Sequence, residues 1–208
     1  GKTEIFTSSI LGRTVIEGEH ESSAMPGMRT IVLYPMNALV SDQLSRIRKM
    51  FGNTEGEEGM TANQILQEYR PHCTRPFRFA MYTSRTPYHG QFDEQRNFET
   101  VKPVVQFYQR ALESEVGEEL QNLGKIPQKD FENYYRPNTP RATQFRTQNQ
   151  DSEYLTRQEM LDETNRGAYG GGTPDLLITN YSMLEYMLLR PIEQPLFDDT
   201  RIWLEENP

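Results

Sequence analysis

Arg29-Thr30-Ile31-Val32-Leu33-Tyr34-Pro35 decides how this chain folds. It is a short β-branched, apolar run closed by proline, and it reads as a buried parallel strand. Downstream, Leu39, Val40, Leu44, Ile47 and Phe51 recur at helical spacing from Met36 to Phe51, and Gly52 supplies the stop. Upstream, Phe6, Ile10, Leu11 and Thr14/Val15 do the same. Helix, strand, helix in that order predicts an α/β fold with a parallel sheet.

The rest of the chain extends the pattern and then interrupts it. Residues 53–76 are polar, with a short helix expected at 62–69, and Phe77–Thr83 alternates like a further strand. Residues 88–155 read as a partly irregular insertion holding one long helix, Pro103 to Gly124, with proline at its start and glycine at its end. Regularity returns with a helix from Thr156 to Asn165 and a Gly170-Gly171-Gly172 joint. Asp175–Asn180 then reads as a strand, Tyr181–Arg190 as a helix ended by Pro191, and Thr200–Leu204 as a last helical turn. The core is expected over 1–87 and 156–208.

Composition narrows the class. The 208 residues carry a net charge of −8, 35% hydrophobic and 25% charged content, and a mean hydropathy of −0.77. No apolar run approaches the ~20 residues needed to span a membrane, and no signal peptide is expected, since Gly1-Lys2-Thr3-Glu4 lacks the charged and apolar regions of one. Cys73 is the single cysteine, so a reducing compartment, the cytoplasm, is expected. The negative charge argues against a generally basic nucleic-acid surface, so any such contact must come from local loops. His20, His72 and His89 are scattered without metal-ligand spacing.

Gly1-Lys2-Thr3-Glu4 matches the end of the phosphate-loop signature G-x-x-x-x-G-K-[ST]. Alone, these residues fit equally well a lysine in solvent. The helix that follows is the geometry a phosphate loop requires, because a helix N-terminus presents free N–H groups and partial positive charge. On that reading Lys2 reaches the β/γ-phosphates of ATP and the Thr3 hydroxyl ligates Mg²⁺.

Three segments carry a resemblance to a known family. Tyr34-Pro35-Met36-Asn37-Ala38-Leu39-Val40-Ser41-Asp42-Gln43 resembles motif Ia of superfamily-two DEAD/DEAH-type helicases, in the form used by the Lhr/Hrq-like branch. Thr173-Pro174-Asp175-Leu176-Leu177-Ile178-Thr179-Asn180-Tyr181-Ser182-Met183-Leu184 resembles the motif Ib strand and turn. Tyr82-Thr83-Ser84-Arg85-Thr86-Pro87 sits where that branch has Tyr-Asp-Gly-Asp-Thr-Pro. Tyr-Pro-Met-Asn-Ala-Leu-Val and Thr-Asn-Tyr-Ser-Met-Leu-Glu-Tyr-Met-Leu-Leu-Arg-Pro are also similar to the large helicase subunit of the DISARM anti-phage system. The resemblance implies the first RecA-like domain of a helicase, with ATP and Mg²⁺ as cofactors and nucleic acid, DNA foremost, as partner. The family's Asp-Glu-x-His motif is absent and is expected on the next strand, past Pro208, so the isolated chain is expected to turn over no ATP.

Strand contacts in this family come from loops at the C-terminal ends of the strands. Carried over, the candidates are Pro35, Met36, Asn37, Arg85, Thr86, Thr179, Asn180 and Tyr181. Bland readings stand beside them: Met36 as core, Asn37 as a helix cap, Thr179 and Asn180 as the strand's end. The Met183/Leu184/Met187/Leu188 stripe reads as core packing. Phe131, Tyr134, Tyr135, Arg136, Arg141, Phe145 and Arg146 either stack on a single strand or dock a partner subunit of a defence complex, with docking preferred. Two functional classes follow: an ATP-dependent helicase motor, or a helicase-like scaffold that recruits partners with little or no unwinding.

Overall fold

The computed structural model describes residues 2–35, 37–51, 62–73, 75–87, 94–127, 129, 131, 152–161 and 172–207. Its centre is a four-stranded parallel sheet in the order β1-β4-β2-β3, with β1 Thr30–Tyr34, β2 Phe79–Tyr82, β3 Glu153–Tyr154 and β4 Leu176–Asn180. Thr30 pairs with Leu176 and Tyr34 with Asn180, so β1 and β4 end level. The α/β class expected from the sequence is the observed one.

β4 explains why the sheet needs cover on both faces. Leu176, Leu177, Ile178 and Thr179 are all buried, as a parallel strand between two others requires. Leu176 and Ile178 join a core with Val40, Leu44, Ile47, Phe51 and Ile10, supplied by α1 Lys2–Gly18 and α2 Asn37–Phe51. Leu177 faces the other way, into a core with Met183, Met187 and Leu196, supplied by α7 Tyr181–Leu189 and α8 Gln194–Glu206. Alternate strand residues thus feed alternate helix layers.

α3 Ala62–Glu68 closes the first layer. Its buried Asn63 donates Nδ2 to the Phe51 carbonyl and accepts the Phe77 amide at 2.7 Å, while Phe77 stacks on Phe51 with centroids 4.6 Å apart. α4 Glu94–Leu112, α5 Gly117–Asn122 and Phe131 form a third cluster around Val101, Val105 and Ile126. α6 Arg157–Leu161 begins with a capping box: Glu159 Oε2 accepts the Thr156 amide at 2.8 Å, and the Thr156 hydroxyl oxygen accepts the Glu159 amide at 3.3 Å.

Several expectations need correction. β1 is not enclosed: it is an outer strand among the described residues, and Ile31 is 39% exposed, because β4 takes the central position. The long helix does not start at Pro103; α4 passes through it, and a second helix, α5, follows. An interior proline removes one backbone bond at a cost of about 3 kcal/mol, which Val101 and Val105, buried on either side, help offset. In the methionine stripe Met183 and Met187 are core, whereas Leu188 is exposed. Phe131 is buried and stacks on Tyr108 at 5.5 Å, so it offers no face to a strand or partner. The rest of that aromatic and arginine cluster lies outside the described residues. β3, at the end of the expected insertion, was not anticipated.

Gly124 ends α5's turn at φ +68°, and a Cβ there would collide with the Ser45 carbonyl on α2. Gly124→Ala is therefore expected to cost about 1–3 kcal/mol, read as a drop in Tm of roughly 3–10 °C by calorimetry.

Candidate nucleic-acid and phosphate interface

The strands' C-terminal ends gather three helix N-termini. α2 follows β1 after Pro35, and α7 follows β4 directly. The direction of α1 follows from its contacts. Near its end, Glu17 pairs with Arg29 at 2.8 Å, just before β1 starts. Nearer its beginning, Phe6 packs on the same core as Tyr34, at the end of β1. α1 therefore runs antiparallel to the strands, and its N-terminus, at Lys2, points to the same edge as those of α2 and α7. Helix N-termini carry partial positive charge and unpaired N–H groups, so this edge favours anions although the chain is acidic overall.

Asn37 and Asn180 join two of these helices. Asn180 Nδ2 donates to Asn37 Oδ1 at 2.7 Å, and Asn180 Oδ1 accepts the Met183 amide at 2.8 Å, capping α7. The Asn37 side-chain oxygen thus serves Asn180. Tyr181, the first residue of α7, is 62% exposed, and Pro35 is exposed beside it in the sheet order.

The turn after β2 presents Arg85. Thr83 and Thr86 clasp it: the Thr83 amide donates to Thr86 Oγ1 at 2.9 Å, the Thr86 hydroxyl donates to the Met81 carbonyl at 2.8 Å, and the Arg85 amide donates to Thr83 Oγ1 at 3.2 Å. Ser84 and Arg85 are left exposed at the tip. Beneath lies Tyr82, buried, its hydroxyl donating to Glu193 at 2.5 Å. Burial first, and that bond second, push the Tyr82 hydroxyl far up, so it stays protonated and holds the turn's base. Tyr34, at the end of β1, is also pushed up by burial, and Asp42 adds to this while Arg46 opposes it.

The predicted contacts therefore divide. Pro35, Asn37, Arg85, Asn180 and Tyr181 come together along one edge. Thr86 and Thr179 do not face it. Thr86 is buried in its own turn, and Thr179 is fully buried with its hydroxyl donating to the Tyr82 carbonyl at 2.6 Å. Both brace the backbone that displays their neighbours. Gly1 and Met36 lie outside the described residues. Lys2, Thr3 and Glu4 form the first turn of α1.

Sequence reading missed a residue set at the opposite end of the sheet. Asp175 is buried there among Arg75, Arg29 and Arg70, at 2.5, 3.5 and 3.9 Å. Burial pushes its carboxyl up, but the arginines, Arg75 foremost, outweigh this and hold it well below the usual range. In the sequence Asp175 shows only as the first residue of an expected strand. Trp203 completes the foot of the sheet: its indole N–H donates to Glu17 at 2.8 Å, and the Arg29 guanidinium lies 4.7 Å over its ring.

Among the described residues no helix is long and apolar enough to cross a membrane. No protein-family model matches the chain, and no solved structure does. The whole chain is similar to Druantia protein DruE of Escherichia coli (strain UMEA 4076-1), 41% identical over 221 residues. The chain spans 12% of that relative's length. The motif wording had pointed to the DISARM subunit; the similarity found is to a Druantia protein.

Proposed function

We propose that this chain is the strand-gripping part of the first RecA-like domain of an ATP-dependent DNA helicase or translocase that acts in anti-phage defence. The observation that carries the reading is the convergence at one sheet edge. The N-termini of α1, α2 and α7 and the Arg85 turn all meet where parallel α/β sheets bind ligands. Two anionic ligands suit such an edge. At the start of α1, Lys2 would hold ATP phosphates and Thr3 a Mg²⁺ ion, whose chemistry would be to neutralise charge on the phosphates. Along α2, the β2 turn and α7, a nucleic-acid backbone would meet Asn37, Arg85, Asn180 and Tyr181. Among the described residues no strand pairs with the outer edge of β1, which leaves room for a further strand, as a larger motor sheet needs. The defence setting rests on the similarity to the Druantia protein.

Arg85 tests the strand contact. It is exposed and makes no ion pair among the described residues. In the protein, Arg85→Ala is expected to weaken single-strand binding and reduce the salt slope of log K by about 1. Fluorescence anisotropy across a salt titration reads both. A slope and affinity equal to wild type would remove Arg85, and with it this path for the strand.

A further inference from the structure

A cavity of about 380 Å³ opens beside the β2 turn, between α2, α4 and the edge strand β3. That lies within the ~300–1,000 Å³ range of small-ligand sites, near its lower end. Its floor is the pair Arg48–Glu153. Arg48 Nε donates to both carboxylate oxygens at 2.9 Å, Nη2 donates to Oε1 at 2.7 Å, and Nη1 donates to the Gly124 and Lys125 carbonyls at 3.2 and 3.3 Å. The Tyr108 hydroxyl joins the same guanidinium. These polar groups are already matched, so the floor offers little free charge. One wall carries Val104 and then Phe107, which is 66% exposed and whose ring meets Tyr108 edge-on at 5.4 Å. At the mouth stands Arg85.

A matched floor, an apolar wall, an aromatic ring open to solvent and one cation at the mouth suit a flat, uncharged ring tethered to a phosphate. The mouth is also continuous with the edge assigned to a nucleic-acid backbone. We propose that this cavity takes one unpaired base of the bound single strand, stacked on Phe107, with the adjacent phosphate at Arg85. The proposal rests on the nucleic-acid reading above and adds where a base goes. Because the floor's donors and acceptors are already engaged, the site holds by stacking and discriminates little among bases. Phe107 stays exposed for this role, whereas the neighbouring Val105 and Val101 are buried in the third core cluster.

The test compares a labelled oligothymidine with an abasic strand of the same length and charge, by anisotropy, using the protein and its Phe107→Ala and Val104→Phe variants. Phe107 is exposed, so its truncation leaves the core intact, and Val104→Phe fills the cavity instead of emptying it. The expected result is that wild type binds the intact strand about 5- to 100-fold more tightly than the abasic one. Both variants should lose most of that gap while keeping wild-type affinity for the abasic strand. Equal binding of intact and abasic strands by wild type, or a full gap in both variants, overturns the base pocket and leaves the backbone reading standing. Failure of wild type to bind either strand sinks the nucleic-acid reading, and this proposal falls with it.

Discussion

Replacing Asp175 with alanine is expected to destabilise the protein by about 3–5 kcal/mol, the range for breaking one side of a buried ion pair. Asp175 is fully buried at the foot of β4. Its Oδ2 takes Arg75 Nη1 at 2.5 Å and the Arg78 amide at 2.8 Å, and its Oδ1 takes Arg75 Nη2 at 2.9 Å. Its backbone also joins three strands: the carbonyl accepts the Arg29 and Thr30 amides at the start of β1, and its amide donates to the Arg78 carbonyl before β2. Removing the carboxylate leaves Arg75, Arg29 and Arg70 close together, and among the described residues only Arg29 of these has a second acidic partner, Glu17. Desolvated charge without a partner is the costly case. Urea unfolding of Asp175→Ala measures the total, and Asp175→Asn, nearly the same shape, isolates the charge. A loss below about 1 kcal/mol in both would mean that the arginines re-solvate freely.

The same pair sets an acid limit. The Asp175 carboxyl is held well below its ordinary value in the folded protein, whereas in the unfolded chain it titrates at about 3.9. Near that pH the unfolded chain therefore binds more protons than the folded one. Stability from this group is full above about pH 4 and drains away as pH falls below it, toward the depressed folded value. Asp175→Asn should flatten that part of the stability–pH curve. An unchanged acid slope in the variant would assign acid sensitivity to other carboxylates.

Local pattern carried most of the fold. Apolar spacing placed the helices on either side of β1, and the Leu176–Ile178 run placed β4, because each element's burial is written in its own periodicity. Which strand sits in the middle was not readable. β1 and β4 are similar apolar runs, and only the tertiary pairing makes β4 central and leaves Ile31 half open. β3 is two residues long, too short for any periodicity. Pro103 misled because a proline that starts a helix and one that interrupts it look alike in sequence. At the candidate site, residue identity grouped Pro35, Asn37, Arg85, Asn180 and Tyr181, which lie along one edge, but did not give each side chain's direction. Thr86 and Thr179 were read as contacts, yet the Thr86 hydroxyl bonds to backbone of its own turn, as short hydroxyl side chains often do, and the Thr179 hydroxyl bonds across to the Tyr82 carbonyl of the paired strand. Arg85 and Tyr181 are exposed because the neighbouring Thr86 and Asn180 hold the backbone. The buried charge cluster escaped notice because Asp175, Arg29, Arg70 and Arg75 are scattered along the chain and meet only when the sheet forms.

In the full-length protein, Lys2→Ala is expected to lower ATP turnover by about 100-fold or more, the scale seen when a donor to developing phosphate or oxyanion charge is removed. Lys2 opens α1, a 17-residue helix whose N-terminus points to the ligand edge. The helix contributes only about half a unit of positive charge there, so without Lys2 the turn loses its one full side-chain charge against the β/γ-phosphates. Phosphoryl transfer relies on positioning and charge neutralisation, so the loss should appear in turnover. Single-strand affinity, carried by the Arg85 turn and the starts of α2 and α7, should stay within about twofold, since these elements share an edge with α1 but not its phosphates. Phosphate release with and without single-stranded DNA, beside anisotropy on the same samples, reads both quantities. Lys2→Arg should not restore turnover, because a planar fork does not replace a compact ammonium. The measurement also separates the two functional classes. A motor shows wild-type turnover that Lys2→Ala removes. A scaffold shows none in either form while Arg85 still governs strand binding. Wild-type turnover that survives Lys2→Ala would mean that the phosphates bind elsewhere, and the start of α1 would then be an ordinary helix end.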